Sequence, residues 1–473
     1  MAPNNSVKIL KVFRVSPPPT SPDSASPSSL PLTLFDILWL RFPPVQRVFF
    51  YEIPPINAPF LDSILPKLNH SLSLTLQHYL PLAGTLTWPK DSHKPFINYI
   101  EGDSVSFTLA ESSADFYHLS GNNCFVEAEE YHSLIPHLPT SHEQAQVLAL
   151  QVTIFSNCGF CIGITAHHAV LDGKSSTMFM KSWAHLCKHE GNSGFSLVPE
   201  LTPSYDRTVI KDPTGLEGIF LNQWMNHGGP NNRSLKVWEL KTPSDVVRGT
   251  FELSRANIQN LRQLITTMLA MEKKSEQKQP LHLSTYTVTC AYTWACLTKA
   301  EGVRDAKFLI GISVDARRRM EAPIPATYFG NCVGARTPVA ERNELSGEDG
   351  VVVAVNAICK AIKSLDDGVL SGSENWLPLI FAAKTERVVG IAGSPRFELY
   401  NTDFGWGRPR KVEMISIDRT GAICLSDSRD GGSIDLIFKL RMLDNHFKIL
   451  SEILFGSSSP YSLSLGVLAS GLA

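Results

Sequence analysis

Two neighbouring histidines and an aspartate, His167, His168 and Asp172, stand between an apolar run and an amphipathic run of the sequence. The apolar run, residues 160–164, is typical of a buried strand, and apolar residues recur at helical spacing after Ser175. The histidines therefore occupy a tight turn from strand to helix. A neutral histidine held rigidly there can take a proton from a hydroxyl group, because its unperturbed pKa of about 6.5 lies just below neutral pH.

The two histidines have different expected orientations. If the strand continues to the turn, His168 shares the face of residues 160, 162 and 164, and His167 points to the other side. His168 is then either a general base that faces a cleft or a hydrogen-bonded core histidine. Gly173 gives the turn its backbone freedom, and Ser175 is expected to cap the following helix.

The elements that must position this turn can be read from the same periodicities. Residues 147–155 and 160–166 predict a hairpin that delivers His168. Residues 191–215, dense in Pro, Gly and Ser, predict the start of a crossover between two domains. The other predicted strands are 7–15, 48–51, 249–253, 308–314, 412–417 and 434–440, and the other predicted helices are 60–77, 286–299, 351–365 and one that begins near residue 254.

The composition excludes several classes of protein. The length of 473 residues fits two domains, and a net charge of −2 gives no electrostatic footprint for nucleic acid or an anionic membrane. No apolar run approaches the ~18–20 residues of a membrane-spanning helix. The N-terminus lacks a signal-peptide pattern and the nine cysteines are scattered, so a cytosolic protein with reduced thiols is expected. The CxxC at Cys158 and Cys161 has no second pair at zinc spacing, so neither a metal nor a disulfide is expected.

Three short motifs follow one another along the chain. Residues 168–172 read HAVLD, residues 328–332 read YFGNC, and residues 403–407 read DFGWG. With HxxxD, YFGNC and DFGWG in this order, the sequence resembles the plant acyl-CoA-dependent acyltransferases known as the BAHD family, from about residue 30 to about residue 455. In that family YFGNC marks the branch that attaches malonyl groups to anthocyanins and other phenolic glucosides.

The resemblance implies a mixed α/β fold of two domains, similar to chloramphenicol acetyltransferase, in which each domain carries a central sheet. On this basis residues 1–200 form an N-terminal domain with HxxxD, and residues 201–225 form a crossover loop. Residues 226–455 form a C-terminal domain with YFGNC and DFGWG, and residues 456–473 form a tail. A channel between the domains would lead acyl-CoA from one side and the acceptor from the other side to His168.

The resemblance also implies roles for the residues of the HxxxD turn. His168 would deprotonate the acceptor hydroxyl, which attacks the thioester carbonyl directly without a covalent acyl-enzyme. In the family, the aspartate of the motif points away from the histidine and pairs with an arginine, and Arg317 stands at the matching position. The residues alone leave a second reading open, in which Asp172 orients His168 as a carboxylate does in a catalytic triad. His167 would pack or hydrogen-bond on the other side of the strand.

The DFGWG residues have two interpretations. Asp403, Gly405 and Gly407 are typical of a tight, anchored turn. In the family the motif is mainly structural, while its tryptophan lies near the reacting centre. Trp406 would then either donate its indole N–H toward the oxyanion or stack along the channel.

Binding of a charged acyl-CoA requires sites for anions. The helix start at Ser284 and Thr285 is suited to phosphate, and family members bind the CoA phosphates in this region. A malonyl carboxylate needs a cation near the acyl pocket, and Lys174 is a candidate. The alternative interpretation of Lys174 is an exposed lysine at a helix start. YFGNC is the stronger indication of malonyl, although nothing in its five residues explains the selection physically.

The expected activity is transfer of malonyl from malonyl-CoA to a sugar hydroxyl of a phenolic, flavonoid or anthocyanin glucoside. Malonyl-CoA serves as co-substrate, no cofactor is bound, and the partners of the expected monomer are small molecules only. A second reading keeps the fold and uses an aromatic donor such as hydroxycinnamoyl-CoA. A third is a non-catalytic ligand-binding relative, against which the intact His168, Asp172 and DFGWG argue.

Overall fold

In the residues that the structure describes, three β-sheets carry the fold, and helices cover them. The computed structural model describes residues 7–19, 26–53, 60–122, 126–190, 196–240, 246–272, 281–301, 306–382 and 387–441. The strands in these ranges are β1 (Val7–Val15), β2 (Ser29–Pro31), β3 (Val45–Glu52), β4 (Thr85–Thr87), β5 (Phe96–Asn98), β6 (Val105–Ser112), β7 (Val126–Glu127), β8 (Gln144–Gln146), β9 (Leu148–Phe155), β10 (Gly159–Ala166), β11 (Val246–Leu253), β12 (Lys307–Asp315), β13 (Val333–Arg336), β14 (Val339–Glu341), β15 (Arg387–Ala392), β16 (Lys411–Met414), β17 (Ile423–Asp427) and β18 (Ile434–Arg441). The helices are α1 (Leu34–Ile37), α2 (Phe60–His78), α3 (Leu80–Ala83), α4 (Phe116–Leu119), α5 (Ala128–His132), α6 (Gly173–Lys188), α7 (Leu216–Asn226), α8 (Arg255–Glu272), α9 (Thr285–Glu301), α10 (Arg342–Ser346), α11 (Gly350–Lys363), α12 (Trp376–Ala382) and α13 (Ile417–Thr420).

The first sheet has six strands in the order β1-β6-β9-β10-β3-β16. β9 and β10 form the predicted hairpin, with Phe160 opposite Ile154 and Ala166 opposite Leu148. β3 pairs with the other edge of β10, so β10 is an interior strand. Every residue of β10 is buried, which explains why its sequence is apolar except for Thr165 and does not alternate.

Helices α2 and α6 pack against one another on this sheet. Trp183 of α6 is fully buried, and its indole N–H donates to the backbone oxygen of Leu68 at 3.1 Å. Phe179 lies one turn earlier on the same face and is also fully buried. The apolar face of α6 therefore fixes this helix, and with it the turn that precedes it.

The second sheet runs β13-β12-β15-β17-β18-β11-β7, with β14 paired to β12. Its centre, β12-β15-β17, is parallel, and α9 and α11 pack together beside it. Trp294 of α9, Phe308 of β12 and Val355 of α11 belong to one buried cluster. A third, four-stranded sheet, β2-β5-β4-β8, completes the N-terminal half.

Each half of the chain gives a strand to the sheet of the other half. β16 comes from the C-terminal half and pairs with β3, while β7 comes from the N-terminal half and pairs with β11. Arg248 of β11 reinforces this exchange, because its guanidinium bonds the carboxylates of Glu413 and Asp418. The mixed α/β class is confirmed, and domain boundaries at residues 200 and 226 stay a prediction.

Most predicted elements coincide with observed ones, and the differences have local causes. The strand at residues 7–15 and the helix at residues 60–77 are β1 and α2. The prediction of a crossover loop at residues 201–225 is wrong for its last part, which forms α7. The Pro- and Gly-rich stretch before α7 obscured the helical spacing of its buried residues, which are Leu216, Phe220, Leu221 and Trp224. The predicted tail, residues 456–473, lies outside the described residues.

Candidate active site

The turn between β10 and α6 holds both histidines of the motif. β10 ends at Ala166, so the strand does not continue to His168. The turn, and not the alternation of side chains along a strand, therefore sets the direction of the His168 side chain. Asp172, and not Ser175 as expected, is the N-cap of α6. Its Oδ1 accepts the backbone N–H of Ser175 at 2.8 Å, which satisfies a donor that the first helical turn leaves open.

The second carboxylate oxygen of Asp172 is turned toward the C-terminal half. Oδ2 accepts Nη1 of Arg317 at 2.8 Å and the backbone N–H of Cys332 at 3.1 Å. Burial acts to raise the pKa of Asp172, but the Arg317 charge and the N–H donors outweigh it and hold this pKa below its usual value. Within the described residues no hydrogen bond joins Asp172 to His168, so the geometry is that of a buried ion pair and not of a dyad.

His168 lies half-buried where the two halves of the chain meet. Burial lowers its pKa to about 4, against the opposing effects of its own carbonyl, the Asp172 charge and Asn331. The ring is therefore neutral at physiological pH and able to accept a proton. Its Nδ1 is buried and has no hydrogen-bond partner among the described residues.

Asn331 of the YFGNC segment fixes the backbone of His168. Its Nδ2 donates to the carbonyl oxygen of His168 at 2.9 Å and to Oδ1 of Asp36 at 3.1 Å. The backbone N–H of Asn331 donates to the same Asp36 oxygen at 2.8 Å. Together with the Cys332 bond to Asp172, these contacts let one short segment hold both ends of the HxxxD turn.

Gly330 and Arg207 explain the tight packing of that segment. Gly330 has a φ of +135°, and a Cβ built there would lie 2.5 Å from Nη1 of Arg207. This nitrogen donates at 2.6 Å to the hydroxyl of Tyr328 and to the backbone oxygen of Phe329. A side chain at position 330 would therefore be both strained and in collision with Arg207.

Sequence reasoning did not find the roles of Asp36, Asn331 and Arg207. Asp36 carried a signal, since it is an acidic residue in an apolar run and is fully buried. Such a residue needs hydrogen-bond partners, and the two donors of Asn331 supply them. The sequence near Asp36 does not identify these partners, because Asn331 lies 295 residues further along the chain.

His167 is placed away from the chemistry. It is fully buried, burial lowers its pKa to about 3, and its Nδ1 accepts the backbone N–H of Ala169 at 3.2 Å. A buried neutral ring that closes its own turn is structural.

The DFGWG turn sits at the far end of α6. Oδ1 of Asp403 accepts the backbone N–H groups of Gly405 at 2.8 Å and Gly407 at 2.9 Å, and both glycines have positive φ. Oδ2 accepts Nζ of Lys188, the last residue of α6, at 2.6 Å. The turn is thus tight and anchored, and its anchor is the C-terminal end of the helix that begins beside Asp172.

Trp406 lies away from His168, which favours packing over the second interpretation of this residue, donation to the oxyanion. Its ring packs edge-on against Phe160, at 6.0 Å between centroids. Phe160 stands near the start of β10, about 20 Å along the strand from Ala166 at 3.3 Å per residue. The 16 residues of α6 separate the DFGWG turn from Asp172 by a similar span, about 24 Å. Trp406 therefore packs at the end of the sheet opposite His168, and a role of this residue along the channel stays a prediction.

Lys174 lies in the first turn of α6, and Ser284 directly precedes α9. Nζ of Lys174 lies 3.8 Å from Oδ2 of Asp315, so its charge has a half-exposed counter-ion. Ser284 caps α9, since its Oγ accepts the backbone N–H of Thr287 at 3.1 Å. Arg262 reaches the same helix start, where its guanidinium donates to Oγ1 of Thr285 at 3.2 Å.

Comparisons with known proteins agree with this geometry. A family model described as the Transferase family matches residues 6–446. The chain belongs to this family, the BAHD acyltransferases. It is therefore an acyl-CoA-dependent acyltransferase, and the alternative of a non-catalytic binding protein is set aside.

Several named relatives of this acyltransferase align over nearly the whole chain. It is 42% identical to phenolic glucoside malonyltransferase 1 of Arabidopsis thaliana, over 92% of this chain and 95% of the relative. It is also 42% identical to malonyl-CoA:anthocyanidin 5-O-glucoside-6''-O-malonyltransferase of the same plant, over 90% of this chain and 93% of the relative. Agmatine coumaroyltransferase of A. thaliana is 38% identical over 93% of this chain and 96% of the relative.

The fold of the acyltransferase matches solved structures. The crystal structure of vinorine synthase superposes with a TM-score of 0.69 at 19% identity, over 94% of this chain and 97% of that one. This likeness confirms the two-domain fold.

Two features are absent from the part of the acyltransferase that the structure describes. Within it, no three His, Cys, Asp or Glu side chains are grouped so as to hold a metal ion. Within the same ranges, no helix has the length and apolar character needed to cross a membrane.

Proposed function

We propose that this acyltransferase moves a malonyl group from malonyl-CoA to a sugar hydroxyl of a phenolic glucoside, with His168 as general base. The observation that carries the base assignment is a neutral histidine at the meeting of the two halves. Asn331 holds its backbone, and Arg317 neutralises the nearby carboxylate. The names of the two relatives at 42% identity support the malonyl donor and the glucoside acceptor.

The proposed reaction needs one proton acceptor. As the acceptor oxygen bonds to the thioester carbonyl carbon, its proton passes to His168, and the carbonyl becomes an oxyanion. The oxyanion then collapses, the carbon–sulfur bond breaks, and the imidazolium of His168 returns the proton to the CoA thiolate. An ester and free CoA leave, and the enzyme regains its starting protonation state.

The CoA phosphates are assigned to the start of α9. Backbone N–H groups at a helix N-terminus favour anions, and Ser284, Thr285 and the Arg262 guanidinium converge there. Arg262 adds a cation that sequence reasoning left unnamed. Its charge can stabilise a phosphate next to the helix end.

Lys174 is the proposed partner of the malonyl carboxylate. It stands in the first turn of α6, two residues after Asp172, and about a third of its side chain is exposed. Its distance of 3.8 Å to Asp315 exceeds that of a hydrogen bond, so a carboxylate on the acyl group can compete for the ammonium.

An aromatic acyl donor is the second candidate. The coumaroyltransferase at 38% identity favours it, because that relative aligns over almost its full length. An aromatic acyl group has no terminal carboxylate, so it would gain nothing from Lys174.

The donor experiment separates the two candidates. The wild type is assayed with malonyl-, acetyl- and coumaroyl-CoA against a panel of phenolic glucosides, with products identified by mass. Malonyl-CoA is expected to give the highest kcat/KM, and Lys174→Met is expected to lower kcat/KM for malonyl-CoA but not for acetyl-CoA. An equal or higher kcat/KM with coumaroyl-CoA would reject the malonyl proposal.

A further inference from the structure

Trp39 lies directly on the imidazole of His168. The two rings are stacked, with centroids 4.2 Å apart and planes inclined by 6°. No motif of the family named above includes Trp39. Parallel stacking at this distance places the ring of the proposed base against the π-face of an indole.

The stack is held from the Trp39 side by a rigid segment. The backbone N–H of Trp39 donates to the backbone oxygen of Asp36 at 3.0 Å. Phe42 packs edge-on against the indole, with 4.8 Å between the ring centroids. Arg41 ties this segment to the chain after α7, since its guanidinium donates to the backbone oxygens of residues 227, 232 and 234. Trp39 is therefore held by contacts of its own segment, outside the turn that carries His168.

The charge that forms on His168 during the reaction has few other stabilising contacts. Asp172 is charged but is bonded to Arg317, and Asp36 is bonded to Asn331. Among the described residues, the adjacent His167 is neutral because burial lowers its pKa, and Arg207 lies 3.9 Å from Asp36. Burial of His168 disfavours the imidazolium, so a contact that favours the cation lowers the barrier to proton transfer.

We propose that the indole face of Trp39 stabilises the imidazolium that His168 becomes in the transition state, by a cation–π interaction. The ring quadrupole is negative on its face and attracts a cation within about 6 Å of the ring centroid, which this geometry satisfies. The inference rests on the proposed base role of His168. Trp39 acts through His168, and the proton still passes only between the acceptor, His168 and the CoA thiolate.

The test compares Trp39→Leu with Trp39→Phe in the full-length enzyme. Loss of the aromatic face is expected to lower kcat by roughly 2- to 30-fold, the range of a cation–π contact, with KM for both substrates little changed. It is also expected to move the acid limb of the kcat/KM profile to lower pH by roughly 0.4–1.5 pH units, because the imidazolium loses a stabilising contact. Trp39→Phe keeps a ring face and should recover most of both changes.

Three controls make each outcome decisive. Trp238→Leu removes a tryptophan that packs on Phe42, in the same aromatic cluster, and should leave the acid limb in place. Each sample is re-assayed at neutral pH after acid exposure, which separates protonation from unfolding. His168→Ala should abolish most activity; if it does not, the base assignment fails. If His168→Ala is inactive while the acid limb of Trp39→Leu coincides with that of the wild type, the cation–π inference alone is overturned.

Discussion

His168 is the residue on which the proposed chemistry depends, and its removal should separate catalysis from folding. Replacement by alanine is expected to lower kcat by at least ~10²–10⁴-fold, since general-base catalysis contributes about that much. The melting temperature should stay close to that of the wild type, because the side chain makes no ion pair in the described structure. Single-turnover kinetics and thermal unfolding test both parts. Retained kcat in a folded variant would contradict the base role.

The pH dependence of activity should report the burial of the base. His168 must be neutral to accept a proton, and a pKa of about 4 places its acid limb well below the position of an exposed histidine. We expect kcat/KM to show no titration near pH ~6.5, the unperturbed histidine value. A pH profile with a stable acceptor measures this, and an acid limb at the unperturbed value would contradict it.

His167 and His168 should also make stability fall in acid. In the unfolded chain both bind a proton near pH ~6.5, whereas in the fold their pKa values are about 4 and about 3. Because the unfolded state then binds more protons, stability is full above that pH and is lost as the pH falls toward 4. His167→Gln should flatten the decline of the melting temperature, which a thermal scan at several pH values can show.

Asp172 and Arg317 form a structural pair, and breaking it from either side should destabilise the fold. Asp172→Asn and Arg317→Gln each leave one buried group without its partner, which costs about 3–5 kcal/mol. Denaturant unfolding should show the loss for both variants, together with reduced activity. Asp315→Asn is the matched control: Asp315 also contacts Arg317, but it is 51% exposed and should cost little. Full stability of Asp172→Asn with a collapsed kcat would instead favour an orienting role toward His168.

At the scale of elements, α6 joins two motifs that have different tasks. Its N-terminus carries Asp172 beside the proposed base, and its C-terminus holds the DFGWG turn through Lys188 and Asp403. We expect Trp406→Phe to change kcat little, since Trp406 packs on Phe160 far from His168. Asp403→Asn should lower the melting temperature, because the carboxylate accepts two backbone N–H groups and an ammonium. A large kcat loss in a stable Trp406→Phe variant would restore the oxyanion role.

At the scale of the whole molecule, the exchange of strands makes the two halves depend on each other. β16 completes the first sheet and β7 completes the second. Arg248 of the second sheet binds two carboxylates, Glu413 in β16 and Asp418 just after it. We expect the intact chain to unfold in one cooperative transition, and residues 1–225 expressed alone to lack stable tertiary structure. Circular dichroism and denaturant titration of both proteins test this. A separately folded N-terminal half would show that the exchanged strands contribute little.

The sequence by itself determined the elements around the proposed base and the family of the protein. Residues 159–166 are apolar except for Thr165, and residues 173–188 are amphipathic. Each pattern is local, so a strand, a turn and a helix follow in that order. The two histidines and the aspartate of the turn, and the glycine that begins the helix, were visible because they belong to the same short stretch. The three motifs, which occur in the same order as in the family, indicated the fold by resemblance.

Only the tertiary structure decided which side chains meet at that turn. Arg317 reaches Asp172 across 145 residues and Asn331 reaches His168 across 163, distances over which local periodicity carries no information. Trp39 stacks on His168 because α1 and its following turn pack beside the HxxxD turn, and Trp406 lies away from it because α6 holds the DFGWG turn at its far end. These contacts result from packing of whole elements, whose positions are set by burial of their apolar faces and not by any short stretch of sequence.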